Sequence, residues 1–371
     1  MKLLSFELKK VMFNKKFIII MTLIIAMIAF LFLRNLSLQD FIKEEERKAI
    51  EANQKVSYEN REIHDSVLEK TPKNEEELLL QSINQSMIES LREMTNASFA
   101  DDWQSKLKAE NIYLAYVREY READGEHPIL ERNIEKTLAM NHKLLDENIP
   151  PQHEKYSIAF PNFMKQVVDL FTHLGAIIIM ILLLGEILTS EFEQQSIKFL
   201  FTQPIKKTSV ITSKLMTSII LYLFTTGIVL LTIAIIGIIF AKEGTFAYPV
   251  LIEKGSAIDF ISISDYMVQV LIGTTATLLM VLSLYLLYSL LFKHLLASLS
   301  VLLVTLLGGY SLTKVIPWSS FAWINPFQYL LPSETILNVV DFWHQGIPIL
   351  ILLTIVIYLV SIKKIKSSEI G

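Results

Sequence analysis

The chain has 371 residues, a hydrophobic fraction of 52% and no cysteine. This composition is typical of a polytopic membrane protein with a water-soluble insert, and the lack of cysteine excludes disulfides, metal–thiolate sites and thiol catalysis. The net charge of −4 is unevenly distributed: residues 35–162 hold 26 acidic and 16 basic residues, a net charge of −10, so the remainder carries about +6.

Six apolar stretches are long enough to cross a bilayer. Crossing takes ~20 mainly apolar residues, and local thinning of the bilayer accommodates shorter stretches. The six are Phe17–Leu33, Val167–Ile187, Leu215–Ala241, Met267–Phe292, Leu295–Leu312 and Ile347–Ile362. The first ends in Leu31–Arg34 without a small-residue cleavage pattern, so we expect a retained signal anchor. The sequence therefore predicts an all-α polytopic membrane protein with six transmembrane helices.

Basic residues mark the connections that we expect to face the cytoplasm. Short loops rich in lysine and arginine remain cytoplasmic, whereas large domains cross the membrane largely regardless of charge. The lysines lie at both termini, between spans 2 and 3 and between spans 4 and 5: Lys2, Lys9, Lys10, Lys15, Lys16, Lys198, Lys206, Lys207, Lys214, Lys293, Lys363, Lys364 and Lys366. Both termini are therefore predicted to be cytoplasmic, with the insert, Lys242–Asp265 and Thr313–Gly346 outside the cell.

This topology divides the chain into three parts. Residues 1–34 comprise span 1 and, before it, the amphipathic stretch 1–13, which we expect to form a helix in the membrane interface. Residues 35–163 are predicted to form an extracellular helical domain. Residues 164–371 hold spans 2–6 and the cytoplasmic segment 186–214, which we call the coupling segment. The aromatic and proline-rich stretch Thr313–Gly346 predicts a re-entrant or interfacial helical hairpin before span 6, and Lys242–Asp265 predicts a short loop.

Four helices are expected in the insert. Leu36–Tyr58 is rich in Glu, Lys and Ala. The other three are Glu75–Met94 capped by Asn74, Asp102–Ala123 capped by Asp101, and His127–Asn148 with Pro128 in its first turn. In the third helix, aromatic residues recur at helical spacing: Trp103, Tyr113, Tyr116 and Tyr120. Such a stripe is typical of the core of a small bundle, and a ligand groove is the alternative interpretation.

No motif for catalysis or for metal binding is present. The sequence contains no Walker A pattern, and Gly308 and Gly309 lie inside a predicted span. The seven histidines lack metal-ligand spacing. The sequence therefore predicts no catalytic residue, no cofactor site and no metal site on this chain.

A few polar residues within the spans are candidates for lining a transport path. Lys165, Asp169 and His173 share one face of the second span, and Thr274 and Thr275 lie in the fourth. An ordinary Lys165–Asp169 pair at spacing i,i+4 and helix packing by the threonines are the structural alternatives. No chain of buried acids is visible, so an ion-coupled transporter would lack an evident relay.

The charged segment Gly185–Leu215 is the main functional indicator. The helical pattern of span 2 continues past the membrane until Pro204, which predicts an amphipathic helix joined rigidly to a transmembrane helix. The acidic positions lie beside an apolar face, which a merely solvated loop does not explain. The candidate docking residues are Glu186, Glu191, Glu193, Ser196, Lys198, Phe199, Leu200 and Pro204.

This segment resembles the cytoplasmic signature of type-2 ABC exporter permeases. In that family an acidic residue is followed by Gly-Thr, a Leu-rich turn, a proline, a basic residue and a lysine that opens the next span. The chain keeps the acids Glu191 and Glu193, then Pro204, the basic pair and Lys214, but has Gln195-Ser196 in place of Gly-Thr. The N-terminal helix, the six spans and the segment before span 6 are also similar, whereas the insert has no match.

The resemblance implies a permease subunit that works with a separate ATP-binding cassette ATPase and a second permease, either a copy of this chain or a paralogue. ATP with Mg²⁺ would bind the ATPase and not this chain. The ATPase would dock on Glu186–Gln203, with the N-terminal helix assisting. The lipid bilayer of a bacterial plasma membrane is the expected surrounding, and no nucleic-acid partner is implied.

Three other functions are considered. A mechanotransmission permease uses ATP to move its outer domain without transporting a substrate, and it usually has four spans. A membrane sensor or immunity protein would bind a peptide through the acidic insert. A secondary transporter is disfavoured by the missing relay and the lack of evident inverted repeats. Cationic cargo attracted to the acidic insert is a further possibility.

Overall fold

The computed structural model describes residues 2–193, 206–255, 257–315, 322–338 and 343–367. It confirms an all-α membrane protein with one small two-stranded sheet among the described residues. The chain separates into two compact units. One comprises Met1–Phe32, Phe163–Lys242 and Ile252–Gly371, and the other comprises Leu33–Asn162 and Glu243–Leu251. We call them the membrane unit and the insert unit.

The membrane unit is built from long apolar helices. Helix α1 (Lys2–Met12) precedes α2 (Lys15–Ser37), whose last residues enter the insert unit. Five helices of the described chain are long and apolar enough to span a membrane, or six if one bent pair is a single span. Those five are α2, α9 (Lys207–Phe240), α10 (Ile263–Phe292), α11 (Leu295–Val315) and α13 (Trp343–Ser367).

Helix α10 occupies the centre of the membrane unit. In the most apolar stretch of α10, 61% is buried inside the protein. The corresponding share is 17–28% in the other four spans. Its neighbours include α9, α11, α13 and the short helix α12 (Pro332–Asn338). A helix that is apolar on all sides is expected at the core of a bundle, and the exposed faces of the outer helices are those that lipid would cover.

The second predicted span is bent. Helix α7 (Phe160–Leu170) leads through a π-helical turn, Phe171–Gly175, into α8 (Ala176–Glu193). The two halves meet at 51°, so the single straight apolar run that the sequence suggested is interrupted. Gly175 permits the turn, since a Cβ at this position would lie 2.8 Å from the carbonyl oxygen of Leu170. Such π turns are frequent at functional sites.

The insert unit contains four helices: α3 (Gln39–Lys70), α4 (Glu75–Phe99), α5 (Trp103–Glu122) and α6 (Glu131–Asp146). Their core includes Met87, Leu91, Val117 and Ile134. Tyr113 and Tyr120 lie within this core, Tyr116 packs against it, and Trp103 packs on a smaller cluster. The aromatic stripe is therefore core, as the helical spacing favoured.

Two predicted helix starts in the insert are wrong. Asp102, not Asp101, caps α5 by accepting a hydrogen bond from Ser105 N, because Asp101 adopts a positive φ of 52° and lies in the turn. Helix α6 begins at Glu131 rather than His127, because Pro128 disfavours the helical conformation at the residue before it and His127 Nδ1 accepts from Ile129 N. The cap at Asn74 is confirmed: it accepts from Glu77 N at 3.4 Å.

The predicted loop Lys242–Asp265 contains a β-hairpin. Strands β1 (Pro249–Lys254) and β2 (Ala257–Ser262) pair next to Gly255, which has a φ of +61°. Alternating β-branched residues favour strands, and glycine tolerates this left-handed conformation. The sequence contains both the alternating β-branched residues and the glycine, so the hairpin was predictable from it.

Candidate functional site

A polar cluster lies at the end of the membrane unit where α10 begins and α11 ends. Its first centre is the carboxylate of Asp169 on α7. Asp169 Oδ2 lies 2.8 Å from Lys165 Nζ, and Oδ1 accepts a hydrogen bond of 2.7 Å from the Tyr266 hydroxyl on α10. Lys165 Nζ lies 4.9 Å from the centroid of the Tyr266 ring, within cation–π range. The expected Lys165–Asp169 pair is thus present and is anchored to a second helix.

The second centre of the polar cluster is the carboxylate of Glu334 on α12. Its Oε1 lies 3.5 Å from Nε2 of His173 in the π turn. Its Oε2 accepts from the Tyr310 hydroxyl at 2.9 Å and lies 3.7 Å from Lys314 Nζ, both on α11. The carboxylate therefore joins three separate elements. A carboxylate near the end of a membrane span is expected to have polar or cationic partners of this kind.

Short helical turns between α11 and α13 position Glu334. They are Ala322–Ile324, Pro326–Tyr329 and α12. The rings of Phe327 and Tyr329 lie against Gly309 and Gly346, where any Cβ would overlap them. The Tyr329 carbonyl accepts from Thr277 Oγ1 at 2.7 Å. Part of the predicted hairpin Thr313–Gly346, namely residues 316–321 and 339–342, lies outside the described residues.

The two threonines proposed for the path occupy different environments. Thr275 Oγ1 lies 3.0 Å from the Tyr222 hydroxyl of α9 and donates to Leu271 O, an arrangement typical of helix packing. Thr274 is 3% exposed, and its Oγ1 has no hydrogen-bond partner among the described residues. Nearby, Gly273, Pro332 and Leu350 help to line a cavity of about 10 Å³, which is room for about one water molecule.

The opposite end of the membrane unit carries the start of the coupling segment. The Tyr285 hydroxyl on α10 donates to Gly185 O of α8 at 2.9 Å. Glu193 Oε1 accepts from Leu295 N, the first amide of α11, at 2.6 Å. Glu193 therefore caps α11 and ties the end of α8 to the turn at Lys293 and His294. These hydrogen bonds join α8 to α10 and α11.

The side chains of the other seven docking candidates lie outside the described residues. Glu186 and Glu191 belong to α8, but their side chains lie outside the described part of the structure. The same holds for every atom of Ser196, Lys198, Phe199, Leu200 and Pro204. Their proposed docking role stays a prediction.

Helix α1 packs against the beginning of α9. Glu7 and Lys214 face each other at 3.8 Å and are both buried, as is Val11. Phe6 and Phe13, by contrast, are exposed on α1 or directly after it. The lysine that opens span 3 is therefore an internal partner of the N-terminal helix.

Histidines of the insert unit serve structural contacts. His64 lies between Glu77 Oε1 at 2.6 Å and the Tyr120 hydroxyl at 2.8 Å. His127 contacts the Tyr113 hydroxyl at 3.1 Å, and burial together with the nearby Arg121 charge lowers its pKa to about 4. In the described ranges no group of three or more His, Cys, Asp or Glu residues is placed to hold a metal ion.

Sequence reasoning identified Asp169 and His173 but missed four members of the polar cluster: Tyr266, Tyr310, Lys314 and Glu334. Tyr310 and Lys314 are spaced i,i+4 at the end of a span, which is a usable signal. Glu334 is an acid inside the aromatic, proline-rich stretch before span 6. An acid between two spans is expected to have a cationic partner, and that requirement would have linked Glu334 to Lys314 and His173.

Comparison with known proteins gives one result. No curated protein and no solved structure matches the chain significantly. The family model described as "ABC-2 family transporter protein" matches residues 1–343. The match covers α1, the insert and all the spans up to the first residue of α13. The chain therefore belongs to the ABC-2 family of transporter proteins, whose members are membrane permease components of ABC transporters.

Proposed function

We propose that this permease exports a substrate outward, driven by ATP that a separate ATP-binding cassette subunit hydrolyses. The substrate is a drug, a peptide, a lipid or an ion. The permease works as a dimer, with a second copy or a paralogue, in the plasma membrane. Both termini are cytoplasmic and residues 35–163 are extracellular. Family membership supports the ATPase partner, and the positive-inside pattern supports the orientation.

The observation that carries the proposal is the linkage of α8 to two other spans. Helix α8 leads into the coupling segment and is hydrogen-bonded to α10 through Tyr285 and to α11 through Glu193. A push on the segment by the ATPase therefore reaches the central helix of the bundle. Closure of the ATPases would switch the spans between inward-facing and outward-facing packings.

In the proposed orientation the polar cluster lies at the extracellular end of the spans. Asp169 and His173 border the path there, and Thr274 and Thr275 border it at greater depth. Thr274 lies two helical turns beyond Tyr266, about 12 Å along α10. The very small cavity beside Gly273 is what a path closed at this end would leave.

The test is the double variant Glu191→Lys with Glu193→Lys in the complex with its ATPase, reconstituted in vesicles. We expect ATP hydrolysis to proceed without transport while membrane insertion is unchanged. Wild-type transport by this variant would contradict the docking assignment.

Because Glu193 also caps α11, a matched variant must separate its two roles. Glu193→Gln keeps an oxygen that accepts from Leu295 N but removes the charge. If the negative charges of Glu191 and Glu193 are needed for docking of the ATPase, the double variant Glu191→Gln with Glu193→Gln lowers transport, although α11 stays capped. If only the cap matters, this variant transports normally.

A further inference from the structure

We propose that Glu334 is a positioning residue of the transport path: its carboxylate holds the path closed at the end where the polar cluster lies and must release its partners for the path to open. The inference rests on the proposed function, because it assigns the closing element of that path.

The geometry is that of a latch between elements that are not consecutive in the chain. Glu334 Oε1 contacts His173 in the π turn, and Oε2 contacts Tyr310 and Lys314 near the end of α11. One side chain on α12 thus fastens the bent span to its neighbour. Removing the carboxylate detaches all three partners at once, whereas removing any one partner leaves the other two.

The Glu334 contacts involve the bent span α7–α8, through which the proposed ATPase would transmit its movement. His173 lies within the π turn Phe171–Gly175, where α7 and α8 meet at 51°. Helix α8 continues from this turn into the coupling segment. A change in the bend therefore moves His173 relative to Glu334. Asp169, one helical turn before His173, is fixed separately by Lys165 and Tyr266, so α7 stays anchored when the Glu334 contacts break.

The contacts are suited to reversible opening. The side chains of His173, Glu334 and Lys314 are 46%, 39% and 64% exposed. In the proposed orientation these side chains lie at the extracellular end, where water reaches them; ion pairs in water are weak, so they break at low cost. A fully buried pair would resist separation because each charge would be left desolvated.

Helix α12, which carries Glu334, covers part of the central helix α10. Helix α12 begins at Pro332, whose ring contacts Gly273 of α10, adjacent to the buried Thr274. Displacement of α12 would uncover this part of the central helix. Thr274 is therefore a suitable position for a reporter of opening.

The natural lack of cysteine makes the test direct, because a cysteine introduced by Thr274→Cys is unique. The full-length permease carrying it is placed in lipid nanodiscs and labelled with a membrane-impermeant methanethiosulfonate. We expect Glu334→Gln to raise the labelling rate about tenfold, equivalent to ~1.4 kcal/mol of opening free energy. Glu334→Asp, which keeps the charge, should recover part of the slow rate. Tyr310→Phe, which removes one hydroxyl, should give a smaller increase.

Two controls separate a latch from general loosening. Glu243→Gln changes an exposed acid in the loop after α9 and should leave the labelling rate of Thr274→Cys unchanged. Ser283→Cys provides a second buried reporter further along α10, and its labelling should not respond to Glu334→Gln. Equal acceleration at both reporters, or no acceleration at Thr274→Cys in a protein that stays folded, would overturn the proposal.

The labelling needs neither ATPase nor cargo, so its outcome is independent of the proposed function. Unchanged labelling together with intact ATP-driven transport would remove the latch and leave the exporter standing. Faster labelling in a protein that shows no ATP-driven transport would keep Glu334 as a latch and reject the exporter.

Discussion

The carboxylate of Glu7 lies 3.8 Å from the ammonium group of Lys214, and each of the two side chains is only 1% exposed. The pair joins the N-terminal helix α1 to the first turns of α9, at the end of the coupling segment. An element expected to rest on the membrane surface is therefore fixed to a span by a buried charge pair.

Breaking the Glu7–Lys214 pair on one side should be costly. Lys214→Met leaves the Glu7 carboxylate buried opposite an apolar chain, and losses of ~3–5 kcal/mol are typical for that change. We expect a lower melting temperature for the detergent-solubilised protein and a lower yield from membranes. Both are measured by fluorescence-detected gel filtration after heating.

The double variant Glu7→Leu with Lys214→Met is compared with the single variant Lys214→Met. Replacing both charges by apolar groups is often neutral or stabilising, so the melting temperature should recover. Lys9→Met, at an exposed position of the same helix, controls for the loss of a lysine. A double variant no more stable than Lys214→Met alone would mean that the charges are not paired energetically.

The cap on α11 gives a second prediction. Glu193→Ala removes the oxygen that accepts from Leu295 N and should cost ~1 kcal/mol. Glu193→Gln retains an acceptor and should cost less. Hydrogen exchange at the first amides of α11 is the measurement, with faster exchange expected for Glu193→Ala. Equal exchange in the two variants would show that the hydrogen bond contributes nothing.

The long elements were predictable because their signal is strong. Apolar runs of this length have few alternatives to a membrane helix, and the structure has a helix at each of the six predicted stretches. The bend in the second stretch was not predicted, because Thr172, His173 and Gly175 weaken the helix propensity there but do not by themselves indicate a π turn. What marks it is the close approach of Gly175 to Leu170 O, which is a property of the three-dimensional packing.

The candidate site was predictable only where its residues share one helix. Asp169 and His173 were found by their i,i+4 spacing on a single face. Glu334 and Tyr266 belong to the same cluster but lie 161 and 93 residues after His173 in the chain. No local sequence pattern indicates that such distant residues are close in space. Similarly, Gly309 had no evident role in the sequence, because its partner Phe327 comes from a different element.

Adjacent glycines offer a matched pair for a third prediction. On Gly309 a Cβ would overlap the Phe327 ring, whereas on Gly308 an added Cβ meets no atom within 4 Å. Gly309→Ala should therefore destabilise the membrane unit by ~1–3 kcal/mol through overpacking. Gly308→Ala should be neutral or slightly stabilising, because alanine favours helix by ~0.5–1 kcal/mol. Thermal unfolding in lipid nanodiscs compares the two, and a reversed order would contradict the ring contact.

The stability of the insert unit should depend on pH through His127. Its ordinary pKa is about 6.5, and burial, with a smaller contribution from the Arg121 charge, lowers the pKa to about 4 in the folded protein. Between pH 6.5 and 4 the unfolded chain binds a proton that the folded chain does not, so stability is complete above pH 6.5 and is lost as the pH falls towards 4. Protonation would also place a hydrogen on Nδ1, which accepts from Ile129 N.

Hydrogen exchange of the full chain in nanodiscs, corrected for the intrinsic effect of pH, provides the measurement. Protection of peptides from α5 and α6 should decline between pH 7 and pH 4.5. His127→Gln should flatten this decline, because glutamine does not titrate and keeps both a donor and an acceptor. His142→Gln, at an exposed position of α6, should leave the decline intact. If the His127 variant retains the full decline, acid sensitivity originates in other groups, such as carboxylates that lose their ion pairs on protonation.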